Sequence, residues 1–244
     1  MKYILVILKV SIILFLTGCG DEETYSSNTQ IKNKPILMQP IFHYSKSGEI
    51  IMGKGFAVKN DGKVFIMTSA HLFYFYEGEK LSKISWTNLV DKKLLFDSNS
   101  SVGAIGKNAV WSPKIDLSSD YAIHDSIEKL PVSVLEIDNI VPKNQSDIWF
   151  PQTDHTKPIG FRVVSGYINS IQDKCMTGYL EENIKIRARS GSPVFSKKTN
   201  KVIGIISGGM LDDEDVGTHI YFTPIKYALS HLKVNQNLKR VPFK

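Results

Sequence analysis

The sequence has no internal repeats, no low-complexity tract, few cysteines and little excess charge of either sign. Its 244 residues carry 30 Lys and Arg against 24 Asp and Glu, a net charge of +6. No basic stripe is interleaved with aromatic side chains, which argues against nucleic acid as a partner. The composition is that of an ordinary globular protein, and the length suits one large domain or two small ones.

The first nineteen residues, MKYILVILKVSIILFLTGC, have a basic start, an apolar run and a small-residue end, the pattern of a secretory signal. They finish in Leu16-Thr17-Gly18-Cys19, which resembles the bacterial lipobox, whose cysteine is lipidated and becomes the first mature residue. We therefore predict a lipoprotein signal peptide over residues 1–18 and a palmitate-type lipid on Cys19. A plain transmembrane anchor is the alternative, but the run is short and Lys9 interrupts it.

A lipid on Cys19 predicts a bacterial cell-envelope protein that is anchored to a membrane and faces the periplasm or the exterior. Removal of residues 1–18 takes away two lysines and no acid, and lowers the net charge to +4. Cys175 would then be the only remaining cysteine, so the mature chain would form no intrachain disulfide. No histidine lies near Cys175 in the sequence, which disfavours a catalytic thiol.

The rest of the chain divides into a polar tether and a β-rich domain. Residues 19–40 lack periodicity and are predicted to be flexible. From about residue 41, short runs of Ile, Val, Phe and Tyr alternate with turn residues, which predicts an all-β sandwich or barrels. Asn60-Asp61-Gly62 is the clearest hairpin turn, because these residues accept a positive φ. Only residues 224–237 have helical spacing, behind Pro224.

Three residues form a candidate catalytic set in the order His71, Asp120, Ser190. Acyl transfer by a serine needs a base for the hydroxyl proton, an acid that orients the base, and backbone donors for the oxyanion. His71 ends an apolar strand, Asp120 opens an alternating one, and Ser190 lies in the Ser-Gly-Ser-Pro turn. That turn alone is also typical of an ordinary hairpin, so the catalytic prediction depends on the three residues together.

Five segments resemble the trypsin-like (chymotrypsin-fold) serine proteases, especially bacterial members without disulfides. They are GKGFAV at 53–58, MTSAHLF at 67–73, DYAIH at 120–124, SGSPVF at 190–195 and VIGIISGG at 202–209. The resemblance spans residues 41–232 and implies two six-stranded antiparallel β-barrels, about 41–130 and about 140–223, with a C-terminal α-helix about 224–237. It implies a serine endopeptidase with His71 as general base, Asp120 as its orienting partner and Ser190 as nucleophile.

The resemblance also implies where a peptide or protein substrate binds to what we expect to be a monomer. The backbone of the substrate would pair, as an added strand, with three residues: Ser207, Gly208 and Gly209. Ile184 is expected at the base of the specificity pocket, which disfavours a preference for Lys or Arg. Walls near Gly217–His219 would admit an apolar side chain, or His219 would contact an acidic one.

Two residues depart from the family pattern. The nucleophile usually follows Gly-Asp or Gly-Asn, whereas Ala188 and Arg189 precede Ser190 here. The N–H groups of Ala188 and Ser190 are expected to form the oxyanion hole, and loss of one such donor costs about 2.7–4 kcal/mol of transition-state stabilisation. Two other hypotheses therefore stay open: a catalytically impaired module that binds extended peptides, and a structural lipoprotein with an unrelated β fold.

The remaining candidates are weaker. Asp116 is an alternative to Asp120, but its surroundings lack the apolar alternation. The acidic stretch Asp212–Asp215 is interpreted as a solvated loop, with binding of a cation or of basic substrates as the alternative. The other histidines have no metal-ligand spacing, so we expect neither a metal nor an organic cofactor; they are His43, His124, His155, His219 and His231.

Overall fold

The computed structural model describes residues 34–73, 80–98, 102–105, 120–125, 130–211 and 217–234. The predicted signal peptide, Cys19 and most of the predicted tether lie outside these residues. Within the described ranges, no helix is both long and apolar enough to cross a membrane.

The described residues form fifteen strands, a short 3-10 helix (Ala70–Leu72) and one α-helix, α1 (Ile225–Val234). The strands of the N-terminal half are β1 (Met38–Tyr44), β2 (Gly48–Ile51), β3 (Phe56–Asn60), β4 (Lys63–Thr68), β5 (Leu81–Asn88), β6 (Leu94–Ser98), β7 (Val102–Ile105), β8 (Ala122–Asp125) and β9 (Val134–Glu136). Those of the C-terminal half are β10 (Asp147–Thr153), β11 (Phe161–Ile171), β12 (Met176–Leu180), β13 (Pro193–Ser196), β14 (Val202–Leu211) and β15 (Thr218–Pro224).

The C-terminal half is a closed antiparallel barrel of six strands in the order β10-β11-β12-β15-β14-β13. The ring closes where β10 pairs with β13, with Ile148 opposite Ser196 and Trp149 opposite Phe195. Alternate apolar residues of β12 and β15 are buried inside, as the two-residue period of a strand requires. The all-β fold, this barrel and the C-terminal helix are therefore confirmed.

The N-terminal half consists of two sheets, β2-β1-β5-β6 and β7-β8-β4-β3-β9. They are joined by a pair of backbone hydrogen bonds between Met38 and Gly55, of 2.8 and 2.9 Å. The second closed six-stranded barrel expected from the resemblance is not confirmed by the described strands. In the sheet of five, β9 adds to the free side of β3 in parallel, in the register Ala57 to Val134.

Two local predictions have clear outcomes at the ends of strands. The Asn60-Asp61-Gly62 hairpin is confirmed: Asp61 and Gly62 have φ of 48° and 79°, and Asn60 pairs with Lys63. The tether, expected to reach residue 40, ends earlier, because Ile36 and Leu37 are buried and β1 begins at Met38. Apolar side chains at 36–38 pack into the domain, and this burial outweighs the polar character of the preceding residues.

A shared apolar core lies between the two halves. It combines Phe56 and Met67 from the N-terminal sheet with Trp149 and Phe195 from the barrel, whose rings stack at 3.8 Å. One face of α1, including Leu229, closes the core. This packing holds the ends of β4 and β8 beside the turn before β13, where the candidate residues lie.

Candidate active site

His71 lies in the 3-10 helix that follows β4. Its neighbours Ala70 and Leu72 are buried, while the His71 side chain keeps 13% of its surface exposed. The apolar residues of β4 and of this turn anchor the segment in the core. The sequence thus folds locally so that only the imidazole points outward.

Asp120 stands two residues before β8, the neighbour of β4, and Thr68 pairs with Ala122 across the two strands. One carboxylate oxygen of Asp120 accepts the His71 backbone N–H at 2.9 Å, and the other lies 2.7 Å from His71 Nδ1. The Asp120 side chain is fully buried. An ionised carboxylate in this position keeps the ring hydrogen on Nδ1 and leaves Nε2 as the proton acceptor.

Ser190 lies in a tight turn before β13. The Arg189 N–H donates to Ile186 O at 2.9 Å, and the Ser192 N–H donates to Arg189 O at 3.0 Å. Gly191 has φ of 84°, and a Cβ there would lie 2.1 Å from Lys54 O, so this position requires glycine. The turn is fixed by backbone geometry.

Contacts with β14 and with Gly53 bring the His71 and Ser190 segments together. Ser69 Oγ donates to Ile206 O at 2.6 Å, and Ser190 Oγ donates to Ser207 O at 3.4 Å. Gly53 touches both segments, because a Cβ there would lie 2.3 Å from Leu72 and 2.9 Å from Ser190 O. Among the described residues no hydrogen bond joins Ser190 Oγ to the His71 ring, so the serine side chain must turn away from β14 to reach it.

The two amides expected to form the oxyanion hole are available. Within the described part of the chain, neither the Ala188 N–H nor the Ser190 N–H has a hydrogen-bond acceptor. Ala188 has φ of 63°, the left-handed region that favours glycine. The alanine therefore adopts a backbone conformation that glycine accepts more readily, at a cost in backbone strain.

Ser207, Gly208 and Gly209 form an edge on β14. On one side β14 pairs with β15 from Gly204 to Leu211, with a bulge between Ile206 and Gly208. On the other side its ladder with β13 ends at Ile205, and the last backbone hydrogen bonds join Ile206 to Gly191 and Ser192. A Cβ on Gly208 would meet nothing within 4 Å. An extended peptide could add to this free side as a further strand.

The expected pocket residues have different surroundings. Ile184 is 3% exposed and belongs to the barrel core, and its N–H donates to Thr218 Oγ1 at 2.9 Å. The His219 ring packs edge-on against Tyr179 at 5.1 Å. Sequence reasoning missed Ile186, whose Cγ1 would lie 3.0 Å from a Cβ on Gly209. The two-residue spacing of Ile184 and Ile186 was the available signal.

Lys54 was also missed, although it lies in the quoted segment GKGFAV. Its N–H donates to Ser190 O at 2.8 Å, its carbonyl accepts from Thr68 Oγ1 at 2.6 Å, and the residue is 3% exposed. A lysine between two glycines in an otherwise apolar segment was its only sequence signal.

Several other candidates can be placed. Asp116 and the acidic stretch Asp212–Asp215 lie outside the described residues. Cys175 lies in the β11–β12 turn and forms no disulfide with a described residue. Where the structure describes the chain, no three His, Cys, Asp or Glu side chains are grouped so as to hold a metal ion.

Comparison with solved structures identifies the fold. The chain is similar to a thermostable serine protease, AL20, from an extremophilic microorganism, with a TM-score of 0.57, 12% identity, and coverage of 84% of this chain and 99% of that one. It is similar to the active form of the Rv3671c protease from M. tuberculosis, with a TM-score of 0.57, 15% identity, and coverage of 86% and 85%. It is also similar to HL collagenase, with a TM-score of 0.57, 14% identity, and coverage of 84% and 94%.

These neighbours share the chymotrypsin fold of serine proteases, and their low sequence identity makes the likeness one of fold. No protein-family model and no curated protein matches the sequence. The expected β fold with one closed six-stranded barrel and a C-terminal helix is thus supported. The roles of individual residues rest on the geometry above.

Proposed function

We propose that this protein is a membrane-tethered serine endopeptidase that cleaves peptide bonds through an acyl-enzyme on Ser190. The observation that carries the proposal is the buried Asp120 carboxylate, which accepts the His71 backbone N–H and lies 2.7 Å from its Nδ1. The free amides beside Ser190 and the protease fold support it. The fold argues against an unrelated structural lipoprotein.

In the proposed reaction, Ser190 Oγ attacks the carbonyl carbon of the scissile peptide while His71 Nε2 takes the hydroxyl proton. The C–N bond then breaks, and His71 gives this proton to the leaving amine. Water attacks the remaining ester, loses a proton to His71, and releases the carboxylic product as Ser190 regains its hydrogen. Asp120 holds the imidazole, the Ala188 and Ser190 amides stabilise the oxyanion, and no metal or organic cofactor takes part.

We further propose how the substrate binds and where the protein acts. The peptide pairs with the free edge of β14, and the apolar Ile184 and Ile186 beside it disfavour Lys and Arg at the cleaved position. The lipid on Cys19 holds the catalytic domain at the cell envelope, where the substrate is a peptide or protein. The enzyme acts as a monomer.

Fluorophosphonate labelling tests the proposal directly, because this reagent traps only an activated serine. The full-length chain in mild detergent should be labelled, and the Ser190→Ala variant should not. Ser192→Ala is the matched control, since Ser192 is two residues away and fully buried, and its labelling should persist. Absence of labelling in a folded wild-type sample would contradict the catalytic proposal.

A peptide-binding module without catalysis is the second candidate. Two observations favour it: Ser190 Oγ donates to Ser207 O, and Ala188 carries left-handed strain. An unlabelled but folded wild type that still binds an extended peptide would support this function. Gain of labelling in Ala188→Gly would then assign the defect to the oxyanion turn.

A further inference from the structure

Lys54 is a buried cation held against the backbone of Ser190. Hydrogen bonds to Ser190 O and from Thr68 Oγ1 fix its main chain on both sides. The residue is 3% exposed, and Nζ donates to Gly53 O at 3.0 Å. An ammonium has three N–H donors, and burial without an anion is costly, so the position is unusual for a lysine.

Lys92 is linked to Lys54 through Gln39 and Gly53 O, and Arg189 directly precedes Ser190, whose carbonyl accepts the Lys54 N–H. Neutral oxygens hold both of these further cations. Lys92 Nζ lies 2.8 Å from Leu89 O and 3.4 Å from Gln39 Oε1, and Gln39 Nε2 in turn donates to Gly53 O at 3.2 Å. Arg189 Nε donates to Gln152 Oε1 at 3.1 Å. Gly53 O and the Gln39 amide thus connect the two lysine ammonium groups.

No described acid is paired with these charges. Across the described ranges, none of the ion pairs includes Lys54, Lys92 or Arg189. The charged groups whose fields reach Lys54 are Arg189 and Lys92, and both are positive. Burial, then Arg189 and Lys92, lower the pKa of Lys54 from 10.5 to about 7.

We propose that Lys54, Arg189 and Lys92 form a carboxylate-binding site beside the nucleophile. Lys54 Nζ supplies a buried ammonium, and the terminal nitrogens of Arg189 supply the paired donors that fit a carboxylate. Arg189 is half-buried and Lys92 is exposed, so the site opens to solvent on their side. Because Arg189 follows Ala188, a bound carboxylate also stabilises the turn that presents the oxyanion amides.

The carboxylate has two possible sources with the same chemistry: an acidic side chain of a bound peptide, or a free small carboxylate. Either source binds better when Lys54 is protonated. With a pKa of about 7 in the free site, the protonated fraction, and with it the affinity, falls roughly 25-fold between pH 6.5 and pH 8.5.

Calorimetric titration of the full-length chain with glutarate tests the site without any catalytic readout. The wild type should bind glutarate at pH 6.5 and bind it roughly 25-fold more weakly at pH 8.5. Lys54→Met should abolish both the binding and its pH dependence. Arg189→Gln, which removes the charge from a half-buried side chain, should weaken binding at least tenfold.

Lys201→Met is the control, because Lys201 is a partly exposed lysine paired with Glu136 elsewhere on the surface. Cooperative unfolding of each variant verifies that it is folded. Absence of glutarate binding by the wild type, or equal binding by Arg189→Gln and Lys201→Met, overturns the site whether or not the protein is a protease.

A second titration, in the Ser190→Ala background, identifies the source. Competition with glutarate by a Glu-containing peptide, but not by its Gln counterpart, supports the site with a peptide side chain as its ligand. Simultaneous binding of peptide and glutarate supports the site with a free carboxylate as its ligand.

Discussion

His124 makes the stability of the protein depend on pH below neutrality. It is 1% exposed, lies between Phe73 and Trp86 with ring centroids 5.6 and 5.8 Å away, and neither ring nitrogen has a partner among the described residues. Burial lowers its pKa from 6.5 to about 4. The folded state therefore holds His124 neutral at a pH where the unfolded chain takes up a proton.

The lowered pKa of His124 decides whether the free energy of unfolding rises or falls with pH. Above pH 6.5 both states are neutral at this position, and the stability is complete. As the pH falls from 6.5 to about 4, only the unfolded state gains the proton, so the free energy of unfolding decreases by about 3 kcal/mol. Below pH 4 the folded state is protonated too, and no further loss comes from this group.

His124→Phe isolates this contribution. Any packing cost of the substitution is the same at each pH, so the difference in unfolding free energy between variant and wild type should shift by about 3 kcal/mol toward the variant from pH 7 to pH 4. Urea unfolding followed by tryptophan fluorescence, in the Ser190→Ala background to prevent self-cleavage, measures it. His155→Phe, at an exposed position, controls for loss of a histidine. Parallel pH profiles for His124→Phe and wild type would refute the reasoning.

Three further predictions concern the site. Asp120→Asn should lower the rate of fluorophosphonate labelling by about 10⁴-fold, because an amide cannot keep the His71 tautomer; a rate within tenfold of wild type would contradict the assignment. Ala188→Gly should stabilise the fold by about 0.5–1 kcal/mol in urea unfolding, since φ of 63° suits glycine, and a loss of stability would exclude strain at this position. Gly209→Ala should destabilise, because its Cβ would lie 2.4 Å from a carbonyl oxygen, whereas Gly208→Ala should not; equal melting temperatures would refute the packing argument.

Short sequence patterns were enough to predict much of the fold. Asp61 and Gly62 predict a turn with two positive φ values, and the alternation of apolar and polar residues around them predicts the flanking strands. The candidate set was reached differently: His71, Asp120 and Ser190 are far apart in sequence, and only the family resemblance indicated that they meet. The structure brings them together through the pairing of β4 with β8 and the contacts of β14.

The features that sequence reasoning missed depend on long-range packing. Whether Ile36 and Leu37 belong to the tether or to the domain is decided by the core in which they are buried, and the segment before Pro35 is polar. Whether the N-terminal strands close into a barrel depends on pairing between residues far apart in sequence, and the parallel addition of β9 has no local sequence signal. A lysine is usually exposed, and the burial of Lys54 follows only from its contacts with Ser190 O and Gly53 O in the folded chain.

The geometry of the site depends on the packing of the two halves against each other. Ser69 Oγ donates to Ile206 O, the Lys54 N–H donates to Ser190 O, and Thr223 Oγ1 donates to Asp120 O, so each candidate catalytic segment is hydrogen-bonded across the junction. A buried hydrogen bond that loses its partner costs about 1–3 kcal/mol. Loss of any of these hydrogen bonds therefore weakens the contacts that hold the His71 and Ser190 segments in place. It follows that Ser69→Ala should weaken serine labelling at urea concentrations where the intrinsic fluorescence of the folded domain is still unchanged.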